Sequence, residues 1–500
     1  MIKYSKSFIT LLSLLAIGLP LTSCGGEGDS GNGGNKNAVQ LEFWHTFGDK
    51  VEDALSSKIE SFKTAIKEHD GVDVNIKLVY KGAYKDMIKH ITTSFSAGDT
   101  PTIAVAYPDH VADYLEAEGG VSEKYVVNLQ NYIDDTSLTF GTEPYIGDKT
   151  DISDFVDAFI EEGTKYTKKG MYSLPYMKST EVMLYNKDAV VQSLKFINDD
   201  LYKEKYNTTL TEGQISDYFS SISWDEFLQV AEIIYNHRNE TDNADIEWPV
   251  IYDSDSNLFI SKLIQNNIGY ASINETTQKG IIDFESGENR TKAEEFVSSI
   301  VAMNKKHILA TKGSLGEYSS NYFKQAKSVF VIGSSGGTGY TLPEAGSFEV
   351  GYAKVPASNN NPVYVTQGPT LTLLTHPKYS KSEADTKKLY GWKLLKFLTG
   401  ASNNVELCVS GSEGYIPVRK SSYSDPIYFD FIENGGGYAD VANVINNDIQ
   451  GSYFNTAVFK GSSTLREQVG GIITNLLSST STLSVTAAFD NAINTTKTYM

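Results

Sequence analysis

Between residues 39 and 106 the chain alternates short apolar runs with amphipathic ones, and this alternation constrains the fold more than any other feature. Val39-Gln40-Leu41-Glu42-Phe43-Trp44 carries the two-residue period of a strand. Val51, Leu55, Ile59 and Phe62 recur at three- and four-residue spacing, which puts them on one face of a helix. Residues 72–80 alternate again, residues 87–95 read as a second helix, and residues 102–106 (TIAVA) form a strand with almost no polar face. Such a strand suits a buried parallel position. Strand, helix, strand, helix, strand in that order predicts a parallel sheet with helices on both faces.

The same signals continue downstream. Residues 182–185 (VMLY), 328–332 (SVFVI) and 370–374 (TLTLL) read as strands. Residues 224–235 read as a helix opened by a capping box, with Ser223 followed three residues later by Glu226. Residues 387–399 are strongly amphipathic, and 465–492 are mostly helical in pattern. Residues 119–169 are polar and acidic and read as an insertion over a cleft or an edge. A chain of 500 residues can build two or three domains with substantial cores.

The start of the chain decides the compartment. Lys3 and Lys6 precede an apolar run over residues 8–21, which ends in Leu21-Thr22-Ser23-Cys24. A positive start, a short apolar core and small residues before a cysteine describe a bacterial lipoprotein signal. Residues 1–23 would be removed, Cys24 would take a diacylglycerol, and the protein would work on the extracytoplasmic face of the cell membrane, held by lipid alone. The alternative is an uncleaved anchor, but the run is short for a span and no stop-transfer segment follows residue 24. Residues 24–37, rich in Gly, Asn and Ser, lack apolar residues after Cys24 and read as a flexible linker.

The formal charge is −19, and loss of Lys3 and Lys6 with the signal takes it to −21. An acidic surface disfavours nucleic acid and anionic lipid as partners. With Cys24 lipidated, Cys408 stands alone among the cysteines, so no internal disulfide and no cysteine-based zinc or redox site is expected. It lies in an apolar setting and reads as a small buried residue.

Several blocks then resemble one family. Leu41-Glu42-Phe43-Trp44-His45, Tyr80-Lys81-Gly82-Ala83-Tyr84, Gly98-Asp99-Thr100-Pro101-Thr102 and Leu184-Tyr185-Asn186-Lys187-Asp188 are similar to successive blocks of the extracellular solute-binding proteins of ABC importers, in the class that binds sugars and glycerol phosphates. Residues 328–339, 351–356, 391–399 and 414–419 continue the match in order, over about residues 40–425. The resemblance implies an α/β periplasmic-binding-protein-like fold of two lobes with a hinge and an interlobe cleft. Lobe I would take residues 38–178 and 357–412, and lobe II residues 179–356 and 413–500. A carbohydrate or polyol phosphate, glycerol-3-phosphate-like, would close the hinge, and the permease subunits would recognise the closed form. The resemblance further implies a monomer that needs no cofactor or metal and performs no chemistry.

Sugars need flat apolar faces and rigid hydrogen-bonding groups, supplied at the tips of parallel strands. Trp44, His45 and Thr46 leave the first strand at its carboxyl end; packing is the competing role. Asp109 follows the strand TIAVA, where a carboxylate can accept two hydroxyls; the alternative is a helix cap. Ser179 and Thr180 stand at the expected crossover. Ser334, Ser335 and Gly336 end a strand in a loop whose backbone N–H groups can cradle a hydroxyl or phosphate. Tyr84, Gly368 and Tyr415 resemble ligand positions of the family. Its glycerol-3-phosphate branch also uses an arginine near the C-terminal helices, which residues 456–460 lack; Lys460 or Arg419 would have to substitute. That departure favours a neutral carbohydrate.

Two other classes compete. Gly333-x-Ser335-x-Gly337 follows a strand and fits the nucleophile elbow of a hydrolase, with His376 as the downstream histidine, but residues 338–343 start a helix poorly. A surface adhesin would need no closing cleft. Asp253-Ser254-Asp255-Ser256-Asn257 copies the start of a calcium loop, yet Leu258 stands where glycine is required and Ile264 where the closing glutamate belongs.

Overall fold

The computed structural model describes residues 38–119, 121, 123–143, 151–412 and 414–500. The signal, Cys24 and nearly all of the linker lie outside the described residues, as do 144–150 of the insertion. Among the described residues no helix is long and apolar enough to cross a membrane.

Two five-stranded sheets organise the chain. The first runs in the order Val74–Tyr80, Val39–His45, Ile103–Ala106, Thr370–Leu373, Leu174–Pro175. Its first three strands are parallel, with Val39 opposite Val74 and Phe43 opposite Ile103. Ile103–Ala106 is buried on both faces, as its composition demands. The expected all-parallel sheet is nonetheless mixed. Thr370–Leu373 returns antiparallel beside Ile103–Ala106, and Leu174–Pro175 pairs antiparallel with it. These strands arrive from distant segments rather than through a local βαβ crossover, so nothing compels them to run parallel.

The second sheet runs Val350–Lys354, Glu181–Asn186, Phe330–Ser334, Val250–Tyr252, Leu309–Thr311. Phe330–Ser334 is antiparallel to Glu181–Asn186 and parallel to Val250–Tyr252. The strand begins later than the pattern suggests because the Ser328 hydroxyl turns back onto Pro249 O and Phe330 O.

Helices cover both sheets through single apolar stripes. Asp49–Asp70 buries Leu55, Ile59, Phe62 and Ile66 and stops at Gly71, whose φ of +69° suits a residue without a Cβ. Trp224–Asn236 is capped by the Ser223 hydroxyl, which accepts from Glu226 N at 3.3 Å. The reciprocal half of the capping box is not made. The Glu226 carboxylate instead accepts from Lys205, Tyr206 and Tyr218. Lys381–Thr399 begins six residues before the amphipathic stretch, because Ser380 caps it by accepting from Glu383 N.

The described part of the insertion packs against that last helix. Trp392 Nε1 and Lys396 Nζ both donate to Leu138 O, at 2.7 and 2.6 Å, and Phe140 stacks edge-on to Trp392. Its final helix, Asp157–Glu162, carries Glu162 to the place where the chain passes between the sheets. Four segments lie side by side there. Ser179 and Gln367 exchange backbone hydrogen bonds of 2.8 and 2.9 Å, Lys178 and Ile416 pair likewise, and Tyr364–Val365 runs parallel to Tyr453–Phe454.

Candidate functional site

Three chambers lie between the two halves and meet at Tyr107 and Ser254, with volumes of about 180, 830 and 800 Å³. Tyr107 leaves the carboxyl end of Ile103–Ala106 in extended conformation. Pro108 then opens the helix Pro108–Glu116 at the position that lacks an N–H partner anyway. Asp109 therefore stands in the first turn rather than at the cap, where the helix dipole favours its charge. Its Oδ1 accepts from His110 N at 3.0 Å.

Its other oxygen crosses the cleft. Arg466 Nε donates to Asp109 Oδ2 at 3.1 Å. Arg466 belongs to the helix Ser462–Leu477, which packs on Asp255–Gln265 beside the second sheet. Its Nη1 donates to Asn257 Oδ1 at 3.2 Å and its Nη2 to Thr456 Oγ1 at 3.3 Å. Burial works against the guanidinium charge, and the Asp109 carboxylate more than restores it. A second carboxylate reinforces the seam: Asp113 accepts from Ser463 Oγ at 2.6 Å and Gly461 N at 3.2 Å, at the start of the same helix. Burial pushes the Asp113 carboxyl up to about 6.

Below the ion pair lies a buried network. Lys178 Nζ, fully buried, reaches Glu162 Oε2 at 2.5 Å and Gly368 O at 3.3 Å. The Thr366 hydroxyl touches both Glu162 and Asn455. Lys178, Thr366 and Asn455 come from three different crossover segments, so this cluster ties the hinge region together. Gly368 is required here. Its φ is +95°, and a Cβ would stand 2.5 Å from Met177 O.

The expected site residues divide. Asp109 and Gly368 line the smallest chamber, Ser334 lines the 830 Å³ chamber, and Tyr84 and Asp109 line the third. Tyr84 stacks on Tyr107 with ring centroids 4.1 Å apart, and burial holds its phenol well above the usual range. Tyr415 packs on the Ser335–Gly336 loop, where a Cβ on Gly336 would stand 2.9 Å from its ring. Ser179, Thr180 and Ser335 are buried in the crossover. Ser334 Oγ bonds Ser179 Oγ, Thr180 Oγ1 donates to Val365 O, and Thr180 N lies 3.5 Å from Ser335 Oγ. Trp44 and His45 line none of the three chambers. The Trp44 indole donates to Glu42 and lies under Lys81. His45 is buried beside Phe47 and Tyr80, and desolvation lowers its pKa.

The substitutes considered for the missing arginine do not reach the cleft. Arg419 is buried under the insertion, with its guanidinium 3.8 Å over the Phe155 ring and bonded to Thr399 O and Asp151 O. Lys460 is exposed and lines no chamber. The arginine that does reach it, Arg466, stands a few residues beyond the stretch where the family position was sought. Asn257 and Gln367 also went unrecognised. The scarcity of arginine, four in the chain, was the signal that could have drawn attention to Arg466.

The rival chemistries find no geometry. Ser335 is buried, while His376 bonds Phe95 O and Lys378 N beside the first sheet. The calcium-like run caps a helix instead: Ser254 accepts from Asn257 N, and Asp255 accepts from Thr311, Gly313 and Thr474. Among the described residues no three His, Cys, Asp or Glu side chains group as metal ligands.

Comparison with known proteins agrees with this architecture. The family model described as bacterial extracellular solute-binding protein matches residues 59–430. The sn-glycerol-3-phosphate-binding periplasmic protein UgpB of Pectobacterium atrosepticum is 27% identical over 156 residues, which cover 31% of this chain and 30% of that protein's length. UgpB of Mycobacterium tuberculosis, solved with glycerophosphocholine, is similar in structure with a TM-score of 0.63 at 16% identity, covering 92% of this chain and 98% of that one. The GacH receptor of Streptomyces glaucescens, solved unliganded and with acarbose, gives a TM-score of 0.62 at 16% identity over the same shares. The fold is thus the two-lobe α/β arrangement with an interlobe cleft, the role is binding rather than catalysis, and the chain belongs to the bacterial extracellular solute-binding protein family.

Proposed function

We propose that this chain is the ligand-capturing component of an ABC importer for a sugar or polyol that carries an anionic group, such as a phosphate. The observation that carries this reading is Arg466 at the cleft. Asp109 holds its Nε, while Nη1 and Nη2 face the smallest chamber with longer bonds to the neutral partners Asn257 and Thr456. Both of those ends are open to exchange for the oxygens of an anion, in the forked geometry that guanidinium gives and lysine does not. Arg466 thereby removes the reason to prefer a neutral carbohydrate. UgpB proteins named for, or solved with, glycerol phosphates support the same direction.

In this reading lobe I comprises residues 38–178 and 357–412 and lobe II residues 179–356 and 413–500. Ligand draws them together across Asp109 and Arg466, and the closed form is presented to the permease by a monomer tethered through a diacylglyceryl group on Cys24. Tyr84, Gly368 and Ser334 contact the ligand. Ser179, Thr180, Ser335 and Tyr415 shape the crossover, and Trp44 and His45 support the first strand end.

Calorimetry with glycerol 3-phosphate, against maltose as the uncharged control, tests the reading. Arg466→Gln should cost about 1.5–3 kcal/mol of phosphate binding, the range for losing a charged hydrogen-bond partner, or roughly a 10- to 150-fold rise in Kd. Phosphate affinity unchanged by Arg466→Gln would refute the anchor. Release of a Cys24→Ser chain from the membrane fraction tests the tether.

A further inference from the structure

Two buried polar atoms without partners line the larger of the chambers next to Arg466, and they define what else the ligand must carry. Glu181 opens the strand Glu181–Asn186, is 3% exposed, and lines the 830 Å³ chamber. The Tyr252 hydroxyl donates to its Oε2, while its Oε1 has no hydrogen-bond partner. Gln367, in the crossover, lines the same chamber. Its Oε1 accepts from Asn257 Nδ2 at 3.0 Å, and its Nε2 donates to no group. Both side chains are fixed in place, Glu181 by Tyr252 and Gln367 by Asn257 and by its backbone pairing with Ser179. Buried acceptors and donors are ordinarily satisfied, so an acceptor and a donor held open in one cavity mark what its occupant supplies. Hydroxyl groups supply both, since each can donate to a carboxylate and accept from an amide.

Size separates the two spaces. The chamber at Arg466 holds about 180 Å³, below the roughly 300–1,000 Å³ of complete small-molecule sites. It takes one anionic group and little more. The larger chamber falls inside that range, and the two share Tyr107, Ser254 and Gln367, so one molecule can span them. Tyr340, 76% exposed, lines the larger chamber and offers a ring face to the C–H side of a sugar.

We propose that the ligand is a phosphorylated glycoside whose phosphate sits at Arg466 and whose sugar ring sits in the larger chamber, one ring hydroxyl donating to Glu181 Oε1 and another accepting from Gln367 Nε2. The proposal rests on the assignment of Arg466 as the anion anchor.

The mature chain is titrated with glycerol 3-phosphate (anion without ring), trehalose and maltose (rings without anion), and glucose 6-phosphate and trehalose 6-phosphate (both). At least one ring-bearing phosphate should bind ten times or more tighter than glycerol 3-phosphate. Glu181→Gln and Gln367→Glu, each isosteric, should weaken that ligand tenfold or more and change glycerol 3-phosphate less than threefold. Equal losses for both phosphates, or ring-bearing phosphates no tighter than glycerol 3-phosphate, overturn the sugar chamber and leave the anchor standing. Binding of trehalose or maltose with no binding of any phosphate overturns the anchor and the bipartite ligand with it. No binding of any probe overturns both readings.

Discussion

Replacing Lys178 with methionine removes the ammonium from the network beneath the cleft and keeps most of its volume. In the intact protein Lys178 is fully buried, with Nζ on Glu162 Oε2 and Gly368 O. Glu162, itself buried, would be left with the Thr366 hydroxyl and no opposite charge. Breaking one partner of a buried ion pair costs about 3–5 kcal/mol, because the survivor is an uncompensated charge. At about 2 cal/mol/K of unfolding entropy per residue, some 460 ordered residues give roughly 1 kcal/mol per degree near the midpoint. Lys178→Met should therefore lower Tm by about 3–5 °C in differential scanning calorimetry at pH 7.5. Adding Glu162→Gln removes the stranded charge and keeps an acceptor for Thr366, so the double variant should recover most of the loss. Lowering the pH should also narrow the deficit of the single variant, because a protonated Glu162 needs no counter-charge. A Tm within about 1 °C of the parent, or a double variant less stable than Lys178→Met alone, would refute the reasoning.

Three further outcomes can be measured. Burial pushes the Glu181 carboxyl up to about 7 from an ordinary 4.5, with Tyr252, Asn257, Lys262 and Asp253 facing it; between those values the folded state binds more protons than the unfolded one, so stability falls as pH rises from about 5 to 7. Glu181→Gln should flatten that part of the Tm–pH curve, and an unchanged slope would assign it to other groups. Gly351→Ala places a Cβ 2.0 Å from the Tyr185 ring and should cost about 1–3 kcal/mol in urea unfolding through overpacking; no loss would mean that the ring swings clear. Asp109→Asn should weaken phosphate binding about tenfold by freeing the guanidinium to turn, a loss of about 1.4 kcal/mol, whereas tighter binding would show that Asp109 competes with the anion for Arg466.

Local elements were the legible part of this chain. The two-residue period of Val39–His45 and the stripe Leu55, Ile59, Phe62 depend on neighbours within a turn or two, and both elements formed where the pattern puts them. Strand direction was less legible, since Thr370–Leu373 is antiparallel for reasons set by its long route and not by its composition. Asp109 could be read from its position at a strand end. Arg466 could not, because 357 residues separate it from Asp109 and only the packing of the last helices brings them within 3.1 Å. Glu162 shows the same limit in reverse: an acid inside a polar insertion reads as solvated, yet it is buried against a lysine of the crossover. Ser335 shows how a spacing can mislead when its partner histidine belongs to the other sheet.

The helix that carries Arg466 comes close to the end of the chain, after every strand of both sheets has been laid down. A polypeptide threaded across a membrane from its N-terminus delivers that helix among its final residues, as N-terminal portions order first. Until then the half containing Asp109 has no opposing cation, and the receptor cannot grip an anion while still in transit. Solute capture is thereby switched on by completion of the polypeptide on the side of the membrane where the solute is collected.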